Sequence, residues 1–144
     1  MSHEIYLQQA IDLAIHNTVE EKAQPFGAVI VKNGKVIATG VNEIAKCHDP
    51  TAHAEIQAIR AACAKLASPE LKGCIMYASS QPCPLCMEAI AWADMEAVYH
   101  AATFAESAQV GFNPSADWQE YIERIDMGGS QLSPLHAWKK LNNL

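Results

Sequence analysis

The chain is expected to fold as an α/β protein, a three-layer α/β/α sandwich around a mixed central sheet. Three observations predict it. Apolar runs of strand length alternate with stretches of helical periodicity, in the order α-β-β-α-β-α-β up to residue 101. Two strand-helix-strand passages call for parallel strands joined by right-handed crossovers. Asn33-Gly34, between the first two apolar runs, calls for a tight hairpin, which makes one strand pair antiparallel and the sheet mixed.

Each element has its own signal. Leu7, Ala10, Ile11, Ala14 and Ile15 recur three and four apart, which predicts an amphipathic helix over 3–16 with Ser2 as its N-cap. Pro25 ends what precedes it, and Phe26–Val31 is a continuous apolar strand. Val36–Val41 returns as its hairpin partner. Residues 42–50 are polar and irregular. Thr51 is the expected cap of a helix reaching about Leu66, with Ile56, Ile59, Cys63 and Leu66 on one face. Cys74–Ala78 is a third strand. Pro82 opens a further helix to about Ala93, since proline suits a first turn. Ala97–Ala101 is the fourth strand. Beyond Thr103 the pattern weakens, with a helix expected around 115–125, a break at Gly128-Gly129 and a short helix near 134–142.

At 144 residues the chain has the length of one domain, 1–144, and no linker or repeat divides it. Half of it is apolar (50%), enough for a buried core. Ten Lys and Arg against sixteen Asp and Glu give a formal charge of −6, and the basic residues are scattered. That balance argues against a nucleic-acid partner gripped by its phosphates. No apolar run approaches the about 18 residues of a membrane span. Met1-Ser2-His3-Glu4 carries no basic stretch leading into an apolar one, so a cytoplasmic location without a signal peptide is expected. The five cysteines are then thiols or metal ligands, with Cys47, Cys63 and Cys74 assigned to packing.

Two short segments carry chemistry. One is His53-Ala54-Glu55; the other is Pro82-Cys83-Pro84-Leu85-Cys86. Both fall where a helix is expected to start. Cysteines at i and i+3 on a first turn point the same way and can share a metal, and the helix dipole favours their thiolates. His53 supplies a third donor. One imidazole and two thiolates leave a tetrahedral zinc with an open position for water. Glu55 lies two residues past His53, on another side of the helix, where it can face that water without ligating. A Cys-x-x-Cys alone is also found in structural zinc and redox sites. A structural site needs a fourth protein ligand, for which Cys47-His48 is the nearby candidate. His48, in the loop before the metal helix, is alternatively a pocket residue.

His-x-Glu followed by Pro-Cys-x-x-Cys is the signature of the zinc nucleobase deaminases. The sequence resembles the cytidine deaminase-like superfamily from Pro25-Phe26-Gly27-Ala28 through Asp49-Pro50-Thr51-Ala52-His53-Ala54-Glu55 to Pro82-Cys83-Pro84-Leu85-Cys86-Met87. Ala89-Ile90-Ala91-Trp92-Ala93, Gly111-Phe112 and Ser133-Pro134-Leu135-His136-Ala137-Trp138 are similar to the bacterial guanine deaminase branch. The resemblance implies zinc on His53, Cys83 and Cys86, with Glu55 as the catalytic proton shuttle. It implies that backbone N–H groups of Ala54 and Cys83 steady the attacking oxygen. It implies a base-binding set of Asn42, Phe26, Trp92 and the residue at 113, here Asn113.

The implied reaction is hydrolytic deamination of a free purine, guanine to xanthine and ammonia. Alternatives in the same chemistry are a tRNA adenosine deaminase, or a deaminase of guanosine, cytosine, a pterin or a triazine. An alternative of another class is a noncatalytic module in which zinc is a structural staple. The branch also implies a homodimer that exchanges the C-terminal helical segment, about 104–144. Two positions depart from the family pattern. Gln81 stands where most members have Glu, and Asn113-Pro114 stands where the guanine branch resembles Asp-Asp.

Overall fold

The computed structural model describes residues 2–114 and 123–144. Helix α1 is His3–Val19, β1 Gly27–Lys32 and β2 Lys35–Val41. A one-turn helix α2, Ile44–Cys47, leads to α3, Ala54–Leu66. Then come β3 Cys74–Ser80, α4 Pro84–Trp92, β4 Ala97–Ala102 and α5 Phe104–Ala108. A 3-10 turn, Ser130–Leu132, precedes α6, Ser133–Leu141.

The four strands form one sheet in the order β2-β1-β3-β4. β1 is antiparallel to both β2 and β3, and β3 is parallel to β4. β2 and β3 therefore run the same way with β1 between them, and both helical crossovers join parallel strands. The hairpin turn takes Asn33 at φ 51° and Gly34 at φ 72°, the left-handed pair that a two-residue loop requires.

β1 is central, and its residues alternate between two cores. Ala28 and Ile30 meet Ala54, Ala58, Ala62, Met76 and Ile90 on the side of α3 and α4. Val29 and Val31 meet Tyr6, Ala10 and Tyr77 on the side of α1. A strand with helices on both faces reads as an unbroken apolar run, as this one does.

The expected elements shift in detail. The buried stripe of α1 is Tyr6, Ala10, Ala14 and Asn17, and Ile15 faces solvent. α3 is capped by His53 and not by Thr51, whose N–H and hydroxyl both donate to Asp49 Oδ1. Its buried face carries alanines, because the helix presses close to the sheet. A Cβ on Gly40 of β2 would run into the Ala54 carbonyl oxygen and the Ala58 nitrogen. α4 starts at Pro84 with Cys83 as N-cap, so Pro82 lies before the helix. The polar stretch 42–50 contains α2, and α5 is opened by a capping box between Thr103 and Glu106. Of the helix expected at 115–125, residues 115–122 lie outside the described residues, and 123–125 are irregular. Cys74 is buried and Cys63 packs against the core, but Cys47 is exposed on α2, which is too short to bury a face.

Candidate metal centre and its cleft

Two helix starts build the centre. His53 is the N-cap of α3 and Cys83 the N-cap of α4, both with extended backbone. Neither side chain caps its own helix, so each is free to turn toward the other helix. Cys86 sits one turn into α4 and is fully buried. His53 Nδ1 lies 3.6 Å from Cys83 Sγ and 3.5 Å from Cys86 Sγ, and the two sulfurs are 3.8 Å apart.

That triangle fits zinc. Bonds of about 2.3 Å to sulfur and about 2.05 Å to nitrogen at tetrahedral angles put donors about 3.8 Å apart for two sulfurs and about 3.5 Å for sulfur and nitrogen. Among the described residues the group contains these three donors and no fourth. Cys47 and His48 are exposed, and neither joins the group. Three protein ligands are the complement of an open, catalytic zinc rather than a closed structural one.

The donors' charges suit a cation. The Cys83 thiol is held down to about 4, first by its hydrogen bond with Cys86 and, against the opposing cost of burial, by His53. Cys86 is pushed up by that hydrogen bond and by burial. A divalent ion held by His53, Cys83 and Cys86 would take the place of the shared proton, so its binding would release protons.

A cleft of about 200 Å³ opens over the triangle. Glu55, only 7% exposed, lines it. Burial raises the Glu55 carboxyl above its ordinary value, opposed by a hydrogen bond from Cys86. Ala54 and Cys83 line the cleft at helix starts, where the first N–H groups have no partner inside the helix. Phe26 forms one wall, met edge-on by Phe112 with ring centres 4.8 Å apart and planes at 81°. Asn42 and Asn113 also reach it. Asn42 accepts the Ile44 N–H on Oδ1 and donates from Nδ2 to Gln24 Oε1, which leaves one N–H and one lone pair.

Two expected substrate residues lie elsewhere. Trp92 is 83% exposed at the end of α4. Six residues past Cys86 is about 120° round the helix from the metal-facing side. His48 is exposed in a left-handed conformation at the end of α2, which turns the loop before it can reach the cleft. The structure adds lining residues not expected to bind substrate: Gln24, Ser80, Gln81, Phe104 and Ser107. Gln81 Oε1 accepts the Phe104 N–H, tying the end of β3 to the start of α5. A carboxylate would accept the same bond, which explains how glutamine serves at this position. For α5, the Thr103-x-x-Glu106 spacing is a usable sequence signal; Gln24 carries none.

The chain is 40% identical to guanine deaminase of Bacillus subtilis, over 99% of this chain and 97% of that one. The crystal structure of that protein superposes with a TM-score of 0.90, at 39% identity over 97% of this chain and 95% of the other. A tRNA-specific adenosine deaminase of Aquifex aeolicus is 37% identical over 71% of this chain and 67% of its own length. Residues 1–102, which hold all three metal donors, Glu55 and the whole sheet, match the cytidine and deoxycytidylate deaminase zinc-binding region. The chain belongs to that family of zinc-dependent aminohydrolases.

Proposed function

We propose that the protein hydrolyses free guanine to xanthine and ammonia. The observation that carries this is the cleft itself, an aromatic-walled slot closed at its base by a buried carboxylate beside a three-donor zinc site. Likeness to guanine deaminase along nearly the whole chain supports the same substrate. Among the described residues, Glu55 is the one carboxyl of the cleft, and no lysine or arginine lines it. Such a pocket suits an uncharged base better than a nucleotide or a phosphate backbone.

His53, Cys83 and Cys86 hold the zinc, which when bound polarises a water molecule into a nucleophile near neutral pH. Glu55 takes one proton from the attacking water and gives it to the ring nitrogen beside the reacting carbon, then takes the remaining hydroxyl proton and gives it to the departing amine. Its raised pKa suits a group that must both take and give. Phe26 and Phe112 hold the ring plane, and the free N–H and lone pair of Asn42 read a purine edge. Asn113 takes the place of an acidic partner and accepts from guanine donors through its amide oxygen. The backbone N–H groups of Ala54 and Cys83 stabilise developing negative charge.

The protein is a single-domain cytoplasmic enzyme of purine metabolism that works as a homodimer; of the segment 104–144 expected to be exchanged, residues 104–114 stay on their own chain, where Phe104, Ser107, Phe112 and Asn113 line the cleft, and α6 lies on the partner. No helix among the described residues is long and apolar enough to cross a membrane. The test is ammonia release from guanine by the zinc-loaded protein. Release that stops in Glu55→Ala supports the proposal. No release from guanine, with release from an adenosine-containing tRNA anticodon stem, would replace it.

A further inference from the structure

We infer that Asn17, on α1 and outside the cleft, is a positioning residue for base recognition, acting through a clamp on Gln24 and Asn42. The inference rests on the reading of Asn42 as a base-binding group given above. Asn17 is 3% exposed and continues the buried stripe of an otherwise apolar helix face. An amide there needs partners. Its Nδ2 donates to the Gln24 carbonyl at 2.8 Å and to the Asn42 carbonyl at 3.0 Å. Both hydrogens of the group are therefore engaged, one on each of two segments that end in the cleft.

The clamp has a consequence for the Asn42 side chain. Gln24 Oε1 accepts from Asn42 Nδ2 at 3.2 Å, and that bond fixes which edge of the Asn42 amide turns inward. It exists only while the backbones of residues 24 and 42 keep their spacing. Asn17 sets the spacing from behind. The general ladder does not depend on it, because Asn42 N–H bonds the Phe26 carbonyl directly and Ala23 N–H bonds the Asn17 carbonyl. Asn17→Leu, close in size and without donors, therefore loosens the aim of Asn42 while the sheet and metal centre stay assembled. A base bound through a poorly aimed amide loses affinity before it loses turnover, since Glu55 and the zinc donors are untouched.

The experiment combines kinetics with a signal that needs no substrate. Asn17→Leu and Asn17→Ser are compared with wild type for guanine KM and kcat, for zinc per chain, and for exchange of the Asn42 side-chain amide protons in 15N-labelled protein. The expected result is a KM raised at least about fivefold with kcat within about twofold, full zinc, and faster Asn42 amide exchange. Unchanged KM and unchanged exchange in the folded variants overturn the inference. So does a loss of zinc and kcat in proportion to the change in KM, which marks a scaffold residue only. If wild-type protein leaves guanine intact, the substrate reading fails by itself, and Asn42 exchange alone then decides whether the clamp exists.

Discussion

At the scale of single residues, Glu55 and the three donors form a site whose parts have separable roles. Glu55→Gln keeps size and hydrogen bonding but cannot accept a proton at neutral pH. It should lower kcat by about 10²–10⁴-fold, the range for a positioned acid–base group. Zinc content, measured by metal analysis, should stay at the wild-type level, because Glu55 is not among the donors. Cys86→Ser should instead lose the metal and the activity together. These positions are legible in the sequence because the ligands fall in two short segments, and local spacing fixes their direction. The substrate wall is only half legible. Phe26, Asn42 and Asn113 reach the cleft, yet Trp92 and His48 do not, since neighbouring a motif in sequence says little about which side of a helix or loop a residue faces. Asn17 carries a faint signal of its own, a polar residue on an apolar stripe, but periodicity alone does not say what it bonds.

At the scale of elements, the spacing between α3 and β2 decides whether the centre can form. Gly40 lets the first turn of α3 lie against the strand, and that turn carries His53 and Glu55. Gly40→Ala forces backbone apart and should cost about 1–3 kcal/mol, as overpacking does. Thermal unfolding measures the cost, and zinc affinity should fall with it. A milder test lies in the loop before α3. Asp49 accepts from Thr51 N–H and hydroxyl, with Arg60 3.2 Å away. Those Thr51 bonds, then the guanidinium, hold the Asp49 carboxyl below its ordinary 3.8. A depressed pKa stabilises the fold above the unfolded value and stops doing so as pH falls through the folded one. Asp49→Ala should therefore lower the melting temperature fully at pH 7, with the difference shrinking below 3.8 until it closes. An equal difference at all pH values would show that the charge is irrelevant. The longer helices and the strands are readable in the sequence because period and turn chemistry agree; α2 and α5 carry no period, and of the two only α5 is marked, by the Thr103-x-x-Glu106 spacing of its cap.

At the scale of the whole molecule, the core and the C-terminal segment obey different rules. Residues 2–114 wrap two apolar layers around one sheet, whereas almost every residue from 123 onward is exposed. α6 nevertheless presents Leu135, Trp138 and Leu141 at three-residue steps, and the element it meets most, among the described residues, is the 3-10 turn before it. An amphipathic helix with no apolar neighbour among the described residues gains stability by covering another surface. β4, at the sheet edge, and α4, with Leu85, Met87 and Trp92 exposed, offer such surfaces on a second copy. Sedimentation should then give twice the chain mass, and Trp138→Lys should shift the protein toward monomer without removing zinc. A monomeric wild-type protein at micromolar concentration would leave α6 unexplained and defeat the dimer. The metal acts on stability separately, by joining the starts of α3 and α4. A ligand free at about 1,000 times its Kd stabilises the state that binds it by about 4 kcal/mol. Chelation should therefore lower the unfolding midpoint of wild-type protein and of Trp138→Lys by the same amount, because the staple lies within one chain; a drop seen only in the dimer would place the metal's effect at the interface instead.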